Sequence, residues 1–107
     1  MFEIEYYSKS VQEEIFEWPA GIAADYYQLT ERMKLVGPNL GMPYTRAFGS
    51  GLFEIRAKAR EGIGRAFYCT VVGNKIMILH SIIKKTRKTP DQDLDLARKR
   101  MKEVKNA

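Results

Sequence analysis

Two strongly apolar runs, RAFYCTVV (65–72) and KIMILHSII (75–83), are separated by nothing more than Gly73-Asn74. A connection that short cannot hold a crossover helix, so the runs must be antiparallel neighbours joined by a tight two-residue turn. The chain is thereby committed to a sheet. LFEIRAK (52–58), just upstream, alternates Phe53, Ile55 and Ala57 against Glu54, Arg56 and Lys58, which predicts another strand with two cations projecting from one face.

The other segments supply the cover for that sheet. FEIEYY (2–7) alternates as a short strand that should pair with a partner late in the sequence. Ser10 and Glu13 form a capping box, and Val11, Ile15 and Trp18 keep one helical face until Pro19 interrupts it. Ile22, Tyr26, Leu29, Met33 and Val36 then recur at helical spacing, with Gly37-Pro38 as the stop. The glycine- and proline-rich stretch 37–51 reads as a loop. Thr89-Pro90-Asp91-Gln92 has the form of an N-cap, a first-position proline, an acid near the positive dipole end and a capping-box glutamine. It opens a final helix whose buried stripe is Leu94, Ala97, Met101 and Val104. The order predicts an α+β fold: an N-terminal strand and a helical hairpin packed on one face of a mainly antiparallel twisted sheet, followed by a C-terminal helix, with the remaining face available for chemistry. At 107 residues, 45% of them hydrophobic, one domain over residues 1–107 is expected. No charged start precedes a long apolar run and no stretch is long enough to cross a bilayer, so the expected location is the cytoplasm, without membrane association.

Charge is distributed unevenly. Residues 1–45 carry three bases against seven acids, a balance of −4, whereas residues 46–107 carry fifteen bases against six acids, a balance of +9. A polyanion such as RNA or DNA is the natural partner of the basic half, although a solvated charged face is the plainer reading of any charge run. Arg56, Lys58, Arg65, Lys84, Lys85 and Arg87 come from three strands or their ends, and antiparallel pairing would gather them into one patch. Lys88 extends the run after the last strand and Arg98, with Lys99, Arg100 and Lys102, loads the final helix with cations; Lys84, Arg87, Lys88 and Arg98 are the expected RNA contacts. Tyr44, Phe48 and Phe53 could stack on bases, although core packing accounts better for Phe53.

Metal chemistry has little support: the chain holds one histidine and one cysteine, with neither HxxxH nor CxxC spacing, and GSGLFE precedes a strand where a phosphate-binding loop precedes a helix. No cofactor is implied. Cys69 lies in a strand and reads as a small buried hydrophobe; a catalytic thiol would need His80 as its base. Metal-free RNA cleavage asks for less. A base takes the proton from a 2′-hydroxyl, cations stabilise the phosphorane oxygens, and an acid protonates the departing 5′ oxygen. Arginine and lysine supply the electrostatics, and a lysine among other cations can serve as base. His80 is a further acid or base candidate, but its alternation with Ile76, Ile78 and Ile82 equally fits a satisfied, half-buried residue.

From Gly51 onward, GLFEIRAK, GRAFYCTVVGNKIMILHSIIKKTRKTP and DLARKRMKE resemble the RelE/ParE superfamily of bacterial toxins, most closely its phage-derived HigB-like branch. The likeness covers the last half of the chain; the earlier elements agree in order only. It implies the toxin of a toxin–antitoxin pair, an endoribonuclease that cleaves mRNA in the ribosomal A site without metal and is held by a cognate antitoxin, often a helix-turn-helix protein. Carried over by position, Arg56 matches a basic residue of the first central strand, Arg65 the arginine that binds the scissile phosphate, and Lys84 or Lys85 the basic residue after the last strand. Glu54 departs from the pattern, standing where RelE-type enzymes often place a lysine, and the last helix has no tyrosine in the role RelE gives one. The base is therefore open among Lys58, Lys85 and His80. ParE-type toxins share the fold but inhibit DNA gyrase without catalysis, which is the alternative.

Overall fold

The computed structural model describes residues 1–84 and 88–106, and for Lys84 the backbone alone. The elements run β1 (Glu3–Tyr6), α1 (Lys9–Phe16), α2 (Ala20–Val36), β2 (Thr45–Gly49), β3 (Leu52–Ala59), β4 (Gly62–Val71), β5 (Lys75–Lys84) and α3 (Asp91–Lys105). The fold is α+β. Its five-stranded sheet has the order β1-β5-β4-β3-β2. All neighbours are antiparallel except β1, which pairs in parallel with β5. The N-terminal strand thus finds the late partner expected of it.

One face of the sheet carries α1 and α2. Val11, Ile15, Trp18, Ile22, Tyr26, Leu29 and Met33 pack there against Ile55, Ala57, Ala66, Tyr68, Ile76 and Ile78. The expected stripes of both helices are therefore buried, apart from Val36, which is exposed at the end of α2. Close approach fixes one residue type: a Cβ on Gly64 of β4 would stand 2.6 Å from the Trp18 ring and 2.7 Å from Ile22. Only glycine lets the hairpin lie this near the sheet.

The opposite face was expected to be open, but α3 lies across part of it. Ala97 and Met101 are buried with Leu52, Phe67, Cys69 and Leu79 in a second core, with Leu94 and Val104 packed around them. The last helix is strongly amphipathic, and its apolar stripe needs a surface that α1 and α2 have not already filled.

Four local expectations are corrected by the structure. The cap of α1 is Ser8, whose hydroxyl accepts from the Val11 N–H at 3.2 Å, and not Ser10, which lies inside the helix. Within the supposed loop 37–51, Thr45–Gly49 forms an edge strand on β3, with a register shift between Ala47 and Gly49; glycine content masked a short TRAF alternation. The hairpin turn has three residues, Val72 to Asn74, with Val71 paired to Lys75 and Gly73 at φ 85°. Finally, α3 starts one residue later than the Thr-Pro signal implies: Pro90 is its N-cap, no side chain caps it, and Thr89 is engaged elsewhere.

Candidate functional site

Antiparallel register places the chemistry in rows across the face shared with α3. In one row Arg46 of β2 stands beside Glu54 of β3, Glu54 beside Phe67 of β4, and Phe67 beside His80 of β5. The next row holds Arg56, Arg65 and Ile82, and the one after it Lys58, Ile63 and Lys84. The side chains of one row share a face, so Arg56 and Arg65 meet as direct neighbours on adjacent strands. His80 reaches this face through a bulge. The register shifts between Phe67 and Tyr68 and leaves Leu79 as an extra residue on β5. Ile76 and Ile78 accordingly point into the α1/α2 core while Ile82 packs with the α3 core, so the unbroken alternation read from the sequence is interrupted at Leu79.

At the centre of the site is Glu54, fully buried. Arg65 donates from Nη1 to Glu54 Oε1 at 2.8 Å, Arg56 Nε stands 3.5 Å from the same oxygen, and the Thr89 hydroxyl donates to Oε2 at 3.2 Å. Glutamate at this position reads as a departure from a basic pattern, but here it is the counter-charge that lets two guanidinium groups lie side by side. Without it, two adjacent arginines shielded from water would repel strongly. Its place two residues before Arg56 on an alternating strand was the legible sign. Thr89, read as a helix cap, is instead the third ligand of this carboxylate.

The other candidates are placed as follows. Arg65 is fully buried, whereas the Arg56 side chain is 12% exposed and lies at the border of the site. Lys58 is exposed near the end of β3, with its backbone N–H on Asp25 Oδ2 at 2.8 Å. The ring of His80 stacks on Phe67, 5.9 Å between centroids at 13°, and its Nε2 lies 2.8 Å from Asp93 Oδ1. This half-buried imidazole therefore joins β5 to the first turn of α3. Arg98 reaches away from the row, donating from Nη2 to the Phe48 carbonyl at 2.8 Å, which fastens α3 to the edge strand. Lys88 is exposed beside β2. Lys85 and Arg87 lie outside the described residues, as does the side chain of Lys84.

Beside the row, Arg46, Phe48, Lys88, Thr89, Asp91 and Leu94 line a cavity of 350 Å³. The Arg46 guanidinium lies over the Phe48 ring, 5.0 Å from its centroid. Sequence reasoning missed Arg46, Asp91 and Asp93. Arg46 alternates with Phe48, and that was the available signal. Phe53 is taken up by the first core, stacked on Tyr68, and Tyr44 lies under Arg32. Cys69 is buried; burial pushes its thiol up, against a weaker opposite pull from Lys105. Among the described residues, no group of three or more histidine, cysteine or acidic side chains is placed to hold a metal ion, and no helix is long and apolar enough to cross a membrane.

No curated protein matches the chain. The family model described as "Phage derived protein Gp49-like" (DUF891) matches residues 13–102. That span runs from within α1 to within α3 and includes every strand that contributes Arg46, Glu54, Arg56, Arg65 or His80. By this match the chain belongs to the phage-derived Gp49-like family, which is associated with RelE-like toxins.

Proposed function

We propose that this protein is the toxin of a type II toxin–antitoxin system, of the HigB-like branch, acting in the cytoplasm as a ribosome-dependent endoribonuclease that cleaves mRNA in the A site without metal. The observation that carries this reading is the Arg56–Arg65 pair: two arginines side by side on adjacent strands, organised by one buried carboxylate and followed by the Lys58–Ile63–Lys84 row. Arg56, at the border of the site, is the group to meet the phosphodiester. Arg65 holds the Glu54 carboxylate and adds positive potential behind it. A base, Lys58, Lys85 or His80, takes the 2′-hydroxyl proton as O2′ bonds to phosphorus. The P–O5′ bond breaks, the 5′ oxygen gains a proton, and the products are a 2′,3′-cyclic phosphate and a 5′-hydroxyl. Lys84, Arg87 and Lys88 contribute charge toward the RNA backbone. A cognate antitoxin, of helix-turn-helix type, covers the toxin.

A second reading, non-catalytic inhibition of DNA gyrase, is favoured by one fact: Arg65, the residue expected on the scissile phosphate, is fully buried against Glu54. A single experiment separates the two. Brief expression should truncate translated mRNAs within A-site codons and leave plasmid supercoiling unchanged, and Arg56→Ala should lower cleavage by about a hundredfold, as loss of one charge-stabilising donor does, at unchanged melting temperature. Intact transcripts with altered supercoiling would select the gyrase reading. Arg65→Ala is the less clean variant, because it leaves Glu54 charged and buried.

A further inference from the structure

The cavity beside the Glu54 row has a composition that the cleavage chemistry does not use. Its walls are Arg46 and Lys88, its apolar lining is Phe48 and Leu94, and an acid, Asp91, stands at its edge in the first turn of α3. Phe48 is held between two partners, with the Arg46 guanidinium over its ring and Phe67 at 6.2 Å. The Arg46 guanidinium is thereby seated over an aromatic ring at the wall of the cavity, on an exposed residue. Unpaired RNA bases stack on such planes as readily as on aromatic rings, while their edges are read by hydrogen bonds. Thr89 is taken up by Glu54, so the carboxylate of Asp91, exposed and without an ion pair or hydrogen bond among the described residues, is the acceptor available for such an edge.

We propose that this cavity holds one unpaired base of the RNA, stacked on Arg46, and that Asp91 selects guanine. The argument is one of matching donors and acceptors. A carboxylate is acceptor-only and offers two oxygens. Guanine alone among the four bases presents two adjacent donors, N1–H and the N2 amino group, on its Watson–Crick edge. Adenine and cytosine each place a single amino group beside a ring acceptor, and uracil flanks its one N–H with two carbonyls. Arg46 and Lys88 supply positive charge for the neighbouring phosphate. Arg46 and Glu54 are direct cross-strand neighbours, so the base pocket adjoins the Arg56–Arg65 pair, and the bound guanosine lies next to the phosphate to be cut.

The inference rests on the RNA-cleaving reading, but its test does not. Binding of 5′-GMP, 5′-IMP and 5′-AMP to the full chain is followed by NMR shifts of the Phe48, Asp91 and Leu94 amides. GMP should bind about tenfold tighter than AMP, in line with a bidentate pair, and IMP, which lacks the amino group, should fall between them. Asp91→Asn should remove the preference for GMP over AMP, and Arg46→Ala should weaken both nucleotides together. Equal affinity for GMP and AMP, a preference that survives Asp91→Asn, or no shifts at these amides would each overturn the assignment, even if mRNA is cleaved. A GMP preference that vanishes in Asp91→Asn, in a protein that leaves mRNA intact, would instead sustain the pocket and remove the nuclease.

Discussion

The two faces of the sheet are covered by different means. Under α1 and α2 the contact is almost wholly apolar, with Ile15, Ile22, Tyr26 and Met33 at or near zero exposure. Under and beside α3 the apolar core is smaller and gives way, along the same strands, to Glu54, Arg56, Arg65 and the His80–Asp93 pair. The first face is stabilised by area removed from water; the second exchanges area for paired polar and charged groups, and is most sensitive to the loss of either fully buried partner, Glu54 or Arg65. The buried charged cluster thus lies on the face that one helix covers, while the face under two helices is held together by apolar packing.

The comparison breaks most sharply at Glu54. Glu54→Ala leaves Arg65 buried without its carboxylate and should destabilise the fold by about 3–5 kcal/mol, read as a lowered urea midpoint. The double variant Glu54→Leu with Arg65→Met should lose less than Glu54→Ala alone. A larger loss in the double variant would mean that the second face depends on net ion-pair attraction and not on mutual satisfaction.

On the apolar face Ile22→Ala should lose about 2–5 kcal/mol through the cavity it opens against Gly64 and Trp18, with no dependence on salt. A salt-dependent loss would erase the distinction between the faces.

Alkaline pH probes the same apolar face. Burial pushes the phenols of Tyr26 and Tyr68 above their usual value. Their folded-state pKa exceeds the unfolded one, so their contribution is fully present below about pH 10 and is lost as pH rises beyond it toward the folded value. The urea midpoint should fall above that pH, and Tyr68→Phe should flatten the fall.

The smallest effect concerns how the two covers are fastened. Ser8→Ala should loosen α1 by about 1 kcal/mol, while Ser10→Ala, inside the helix, should be near neutral by thermal denaturation. At the start of α3, Thr89→Ala should act through Glu54: its loss should largely vanish in a Glu54→Leu background, which a capping role would not allow.

Much of this fold is written locally. The near-contiguous apolar runs around Gly73-Asn74, the alternation of LFEIRAK and the helical spacing from Ile22 to Met33 are short-range patterns, and each forms the element it implies. Boundaries were less legible, because Ser8 and Ser10 offer equivalent hydroxyls and only the turn actually closed decides between them. The edge strand at Thr45–Gly49 was hidden by surrounding glycines; its hydrogen bonds depend on β3 and not on its own composition.

The site divides in the same way. The types and order of residues determined that Arg56 and Arg65 would belong to neighbouring strands. Tertiary structure alone decided that Glu54 is their buried counter-charge, that Thr89, thirty-five residues away, completes it, and that α3 crosses the sheet to bring Asp93 to His80 and Asp91 to the cavity edge. The reason is one of range. Hydrophobic period and turn chemistry act over a few residues, whereas the pairing of buried charges is settled only once distant segments share a low-dielectric space.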